Sequence, residues 1–139
     1  MKYRFLEHTA DAKFQAFGRT LEEAFVNSAL ATSALMWNWR TVEKRMKHRV
    51  GIKGKDLEQL LLNFLEELLY LFDSRMFLLN SVGRLKIEKM KSHYSLSAEF
   101  WGDYLSDKYE IFGGVKAITY HEMDIKNNDH FMIQVVVDI

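Results

Sequence analysis

The residues able to do chemistry fall in three short segments. The last, Phe131-Met132-Ile133-Gln134-Val135-Val136-Val137-Asp138-Ile139, reads as a β-strand that ends on two carboxylates, the Asp138 side chain and the main-chain carboxylate of Ile139. Like charges so placed repel unless something positive lies between them. The first segment, Glu7-His8-Thr9-Ala10-Asp11, is a polar loop in which Asp11 and Thr9 suit a turn by accepting backbone hydrogen bonds. The middle one is Gly113-Gly114-Val115-Lys116-Ala117-Ile118-Thr119-Tyr120-His121. Its glycine pair lacks the spacing of a phosphate loop or a dinucleotide fingerprint. Strand alternation puts Lys116 on one face with Ile118 and Tyr120, and Ala117, Thr119 and His121 on the other. A lysine in that company either snorkels to solvent or aims a cation at an anionic site.

Other chemistries find little support. The chain has no Cys, which removes disulfides, thiol catalysis and Cys-based zinc sites. His8, His48, His93, His121 and His130 show no ligand spacing such as H-E-x-x-H, and each reads as a surface or structural histidine. No Gly-x-Ser-x-Gly elbow or Ser-His-Asp arrangement is visible. Trp37, Trp39 and Trp101 are able to stack on bases. The one basic run, Arg40, Lys44, Arg45, Lys47, His48 and Arg49, suits an exposed loop and edge strand, or a contact with RNA or an acidic partner face. Basic and acidic residues balance at 19 each, which argues against autonomous binding of DNA or RNA.

The elements that must position these residues can be read from periodicity. Tyr3–Leu6 and Lys13–Phe17 read as strands around the polar loop. Thr20-Leu21-Glu22-Glu23 is a capping box that opens a helix fading near Trp37-Asn38. Arg45–Ile52 reads as a strand. Asp56 caps a second helix whose apolar face runs from Leu57 to Phe72, with Gln59 in the reciprocal position. Further strands are expected at Val82–Met90, Tyr94–Phe100, Val115–Tyr120, Met123–Ile125 and Phe131–Val137. The order predicts an α+β fold with two helices packed on mostly antiparallel sheet. No repeat, linker or proline breaks the chain, so residues 1–139 are expected to form a single domain. No signal peptide or membrane-spanning run is expected, which suggests a soluble cytoplasmic protein.

Three segments, taken in order, resemble the signatures of the archease family: Glu7-His8-Thr9-Ala10-Asp11, Val115-Lys116-Ala117-Ile118-Thr119-Tyr120-His121 and Val136-Val137-Asp138-Ile139. The resemblance covers residues 3 to 139, and Thr20-Leu21-Glu22-Glu23-Ala24-Phe25 fits it. It implies a non-catalytic protein cofactor of an RtcB-type RNA ligase in tRNA splicing, one that promotes ligase guanylylation and multiple turnover, with tRNA present in the ligase complex. It also implies a divalent metal ion, calcium in the family, held by Asp11, Asp138 and Ile139, and a role in ligase activation for Lys116. A second role read for the family is chaperone-like modulation of another tRNA-processing enzyme, such as a tRNA methyltransferase. No role passes to His8 or His121. The chain departs from the family pattern at Ala12-Lys13, where more apolar residues are expected. The implied ligand set is all oxygen, which favours calcium, magnesium or manganese over zinc or copper.

Overall fold

The computed structural model describes Met1–Ile139, as seven strands and two long helices in the order β1 (Tyr3–Leu6), β2 (Ala12–Gly18), α1 (Leu21–Ala34), β3 (Met46–Gly54), α2 (Leu57–Arg75), β4 (Phe77–Lys89), β5 (Tyr94–Tyr104), β6 (Ala117–Asn127) and β7 (Phe131–Asp138). The strands make two antiparallel sheets, a four-stranded one in the order β1-β2-β7-β6 and a three-stranded one in the order β3-β5-β4. The α+β expectation holds. Both helices touch both sheets: α1 packs on β2 and β7 and also on β4, while α2 packs on β3, β4 and β5 and also on β6. That position explains why α1 is buried nearly all round. Its Ser28, Thr32 and Ser33 hydroxyls turn inward to donate to the carbonyls of Ala24, Ser28 and Ala29, so no buried polar side chain is left unpaired.

Each helix starts by the same device. Thr20 accepts from the Glu23 N–H at 3.0 Å, and Asp56 accepts from the Gln59 N–H at 2.8 Å. The reciprocal side chains reach one residue further back than a standard capping box: Glu23 accepts from the Arg19 N–H and Gln59 from the Lys55 N–H. The two junctions align as Gly18-Arg19-Thr20-Leu21-Glu22-Glu23 and Gly54-Lys55-Asp56-Leu57-Glu58-Gln59. This repeat corrects the reading of a chain without one. The likeness runs on into the helices, where Asn27 and Asn63 each donate to the carbonyl of the residue before the glycine, Phe17 at 2.7 Å and Lys53 at 2.8 Å. A Cβ on Gly18 would lie 2.8 Å from the Glu23 carbonyl carbon, and one on Gly54 would lie 2.7 Å from the Leu60 Cα. Glycine is therefore required at both sites by the close approach of strand end and helix start.

Other boundaries shift for local reasons. α1 stops at Ala34, and a single 3₁₀ turn at Trp39–Thr41 follows. α2 runs on to Arg75 and stops at Met76, which adopts φ 57° and donates to the Leu71 and Phe72 carbonyls. β4 begins at Phe77, earlier than expected, and carries two register shifts, with Arg84 at φ 49°. The two short strands expected at 115–120 and 123–125 form one strand, β6, interrupted between Thr119 and Asp124 by a bulge containing Glu122 at φ 53°.

Candidate metal centre

The four-stranded sheet brings the three segments to one end. Ala12 pairs with Val137 where β2 starts and β7 finishes, and Ala117 pairs with Asp138 where β6 starts. The Lys116 N–H donates to the Asp138 carbonyl at 2.7 Å, extending the β6–β7 pairing by one step. One further step of the β2–β7 register sets Asp11 opposite Asp138. Phe14, Ala16, Val135 and Val137 face the core. Alternation therefore assigns Lys13, Val136 and, by continuation, Asp11 and Asp138 to the outward face. Asp11 is half-buried, whereas Asp138 and Ile139 are exposed.

Lys116, Ile118 and Tyr120, which alternation sets on one face, differ in exposure. Ile118 is buried, Tyr120 is 53% exposed, and Lys116 precedes the strand and is open to solvent. The bulge that follows Thr119 breaks the period for Tyr120, and Lys116 stands just before the first residue of β6. The basic run is placed as expected, along edge strand β3 and the loop before it. Arg40 stacks on Trp39 at 4.2 Å, and Lys44 and Lys47 lie over Trp101 at 4.9 and 5.4 Å.

Around the carboxylates the structure adds a polar network that residue spacing does not reveal. His8 Nδ1 meets Asp11 Oδ1, and His8 Nε2 lies 2.9 Å from Glu122 Oε2. Lys13 Nζ donates to Glu122 Oε1 at 2.9 Å, and His121 Nε2 lies 3.2 Å from Glu122 Oε2. The hydrogen bonds from His8 and then Lys13 hold the Glu122 carboxyl down at about 2. Glu122 and Asp11 in turn raise the His8 imidazole. Val136, on the outward face between its strand partners Lys13 and Thr119, is nevertheless buried at 1% exposure. His8 and His121 belong to segments already singled out, but Glu122 emerges only from the bulge, which leaves no mark in the residue pattern.

The donors at this sheet end are of the hard, oxygen type. Asp11 commits one oxygen to His8 and keeps the other, and no Lys or Arg pairs with Asp138. With the Ile139 carboxylate these are oxygen ligands of the kind calcium and magnesium take. A surface cleft of about 640 Å³, lined by Leu6, His8, Thr9, Asp11, Lys13 and Leu35 among others, opens beside Asp11. In donor type the residues present fit such an ion.

Fold and site together define an α+β protein with two helices against two antiparallel sheets and a carboxylate-rich sheet end. The chain matches the archease protein family (MTH1598/TM1083) over residues 3–139, and it belongs to that family. It is 44% identical to the Protein archease of Pyrobaculum neutrophilum, with 99% of this chain and 95% of that protein aligned. It is 40% identical to the Protein archease of Pyrococcus furiosus, with 99% of each covered. The solution structure of Methanobacterium thermoautotrophicum Protein 1598 superposes with a TM-score of 0.85 at 31% identity, covering 99% of both chains. A Thermotoga maritima protein described as an archease, possible chaperone, shares the fold at a TM-score of 0.58 and 16% identity, covering 96% of this chain and 94% of that one. No helix is long and apolar enough to cross a membrane.

Proposed function

We propose that this archease is a non-catalytic, cytoplasmic activator of an RtcB-type RNA ligase, and that its working surface is the end of the four-stranded sheet. The observation that supports this reading is the convergence of Asp11, Lys116 and Asp138 on neighbouring strand ends, set by the Ala12–Val137 and Ala117–Asp138 pairs. Asp11, Asp138 and the Ile139 carboxylate would hold a divalent cation, calcium in the first instance. When bound, such an ion neutralises phosphate charge in nucleotidyl transfer. Lys116, exposed and outside the polar network, is free to meet a phosphate or a carboxylate on the partner. His8 fixes the orientation of Asp11 through Nδ1.

The test is multiple-turnover ligation by the ligase with Asp11→Ala, Lys116→Ala and Asp138→Ala variants, all expected to lose activation. Full activation by all three would remove this surface from the function. A short extension beyond Ile139 displaces the terminal carboxylate and is expected to reduce activation more than Ile139→Ala. The description of the Thermotoga protein as a possible chaperone favours a second reading, modulation of another tRNA-processing enzyme such as a tRNA methyltransferase. In that case methyltransferase aggregation or specificity would change with this protein present, whether or not metal is bound.

A further inference from the structure

We propose that His8, His121 and Glu122 form a second metal site, separate from the Asp11–Asp138–Ile139 set, that takes a first-row transition ion of the zinc type. The ligand atoms of the three residues all lie within 4.8 Å of one another. Both imidazole Nε2 atoms converge on the same Glu122 oxygen, at 2.9 Å from His8 and 3.2 Å from His121. The His8 and His121 rings stand edge to face with centroids 6.1 Å apart, so both nitrogens reach the same space. Zinc–nitrogen and zinc–oxygen bonds of about 2.0–2.2 Å need only small side-chain movements from there.

The surroundings are those of a metal-binding histidine. Its other ring nitrogen, Nδ1, is paired with the Asp11 carboxylate. A carboxylate on the far nitrogen holds the proton there and turns the Nε2 lone pair outward as a ligand. A metal ion at this point takes the place of a proton shared between His8 Nε2 and Glu122 Oε2, which lie 2.9 Å apart. Lys13 occupies the other Glu122 oxygen and so leaves Oε2 for a metal. Glu122 is delivered by the bulge in β6 and holds a left-handed backbone, an uncommon conformation for a residue of this type.

The donor chemistry separates the two sites. Two imidazoles and one carboxylate suit zinc and its first-row neighbours, whereas the all-oxygen set suits calcium. Three protein ligands also leave coordination positions open toward solvent, since His121 and Glu122 are exposed. Asp11 links the two, as ligand of one in the proposed function and as the residue that orients His8 in the other.

The experiment uses the full chain stripped of metal with a chelator. Zn²⁺ is titrated in competition with a chromogenic chelator, Co²⁺ by visible absorption, and Ca²⁺ by calorimetry. The expected result is one equivalent of Zn²⁺ bound with wild-type protein. Both His121→Ala and Glu122→Gln should weaken it by at least about tenfold, the size of effect that even loss of an outer partner brings. Ca²⁺ binding should be unchanged in these two variants. Asp138→Asn should do the reverse, losing Ca²⁺ and retaining Zn²⁺, so that failure of the oxygen site and failure of this one are told apart. Because His121 and Glu122 are exposed, the variants are expected to fold, and circular dichroism checks this. Zn²⁺ affinity equal in wild type, His121→Ala and Glu122→Gln would overturn the proposal. So would the joint loss of Zn²⁺ and Ca²⁺ in a folded His121→Ala variant, which would mean a single shared site.

Discussion

His48 packs edge-on against Phe77 at 4.7 Å, and its Nε2 lies 3.2 Å from the Tyr104 hydroxyl. Burial, and then the positive charge of Arg75, lowers its pKa below the usual 6.5. A base whose folded pKa is depressed binds fewer protons than the unfolded chain does in the window between the two values. Its contribution to stability is therefore complete above 6.5 and is lost as pH falls through the folded value. NMR titration should place the His48 imidazole below 6.5. The fall in urea midpoint between about pH 7 and pH 5 should shrink in His48→Phe. The structural role expected of His48 from spacing alone is thus met. The same reasoning applied to His8 and His121 stops short, because linear spacing cannot see two histidines 113 positions apart that face each other across a sheet end. Asp11, Lys116 and Asp138 were legible as polar residues in apolar or turn settings; Glu122 was not, since nothing in its neighbours announces a left-handed residue.

Helices and their caps were legible because their signals are local. Thr20 and Asp56 each stand three residues before the side chain that reaches back, and both helices start where they should. Replacing Asp56 with Ala should cost about 1 kcal/mol, read as a lower urea midpoint at unchanged slope. The glycines allow a sharper contrast. Gly54 ends β3 under the first turn of α2, and an added Cβ would meet the Leu60 Cα at 2.7 Å. Gly51 lies three residues earlier on the same edge strand with nothing within 4 Å of such an atom. Neither has a positive φ. Gly54→Ala is expected to destabilise by at least about 1–3 kcal/mol through overpacking. Gly51→Ala should instead stabilise by up to about 0.5 kcal/mol, because alanine loses less backbone entropy on folding. Equal effects at both positions in denaturant titrations would contradict this account. Strand interruptions, in contrast, were not legible: the bulges in β4 and β6 depend on how long strands fit the twist of a sheet, and period-two patterns simply fade there.

Across the whole molecule, β1 and β2 open the chain while β7 closes it, and the three lie side by side in one sheet. The core joins both sheets through Phe14, Phe25, Phe64 and Phe100, each fully buried. An ion held between Asp11 and Asp138 would therefore bridge segments 127 positions apart in sequence, at a sheet end where the Asp138 side chain carries no salt bridge. Binding to the folded state alone adds about 2.7 kcal/mol at a free concentration one hundred times Kd. For a chain of this size each kcal/mol moves Tm by roughly 3 °C, so saturating Ca²⁺ should raise Tm by about 8 °C over the chelator-treated protein. Asp138→Asn should abolish that rise, and Asp11→Asn should do the same. Ile139→Ala keeps the main-chain carboxylate and should retain the rise, while a peptide extension past Ile139 should lose it. Phe64→Ala offers the control from the other direction: it should cost about 3–5 kcal/mol by opening the core while leaving the Ca²⁺-dependent increment in place. If the increment followed the core variant and not the carboxylate variants, the ion would be acting on overall compactness and not at the sheet end.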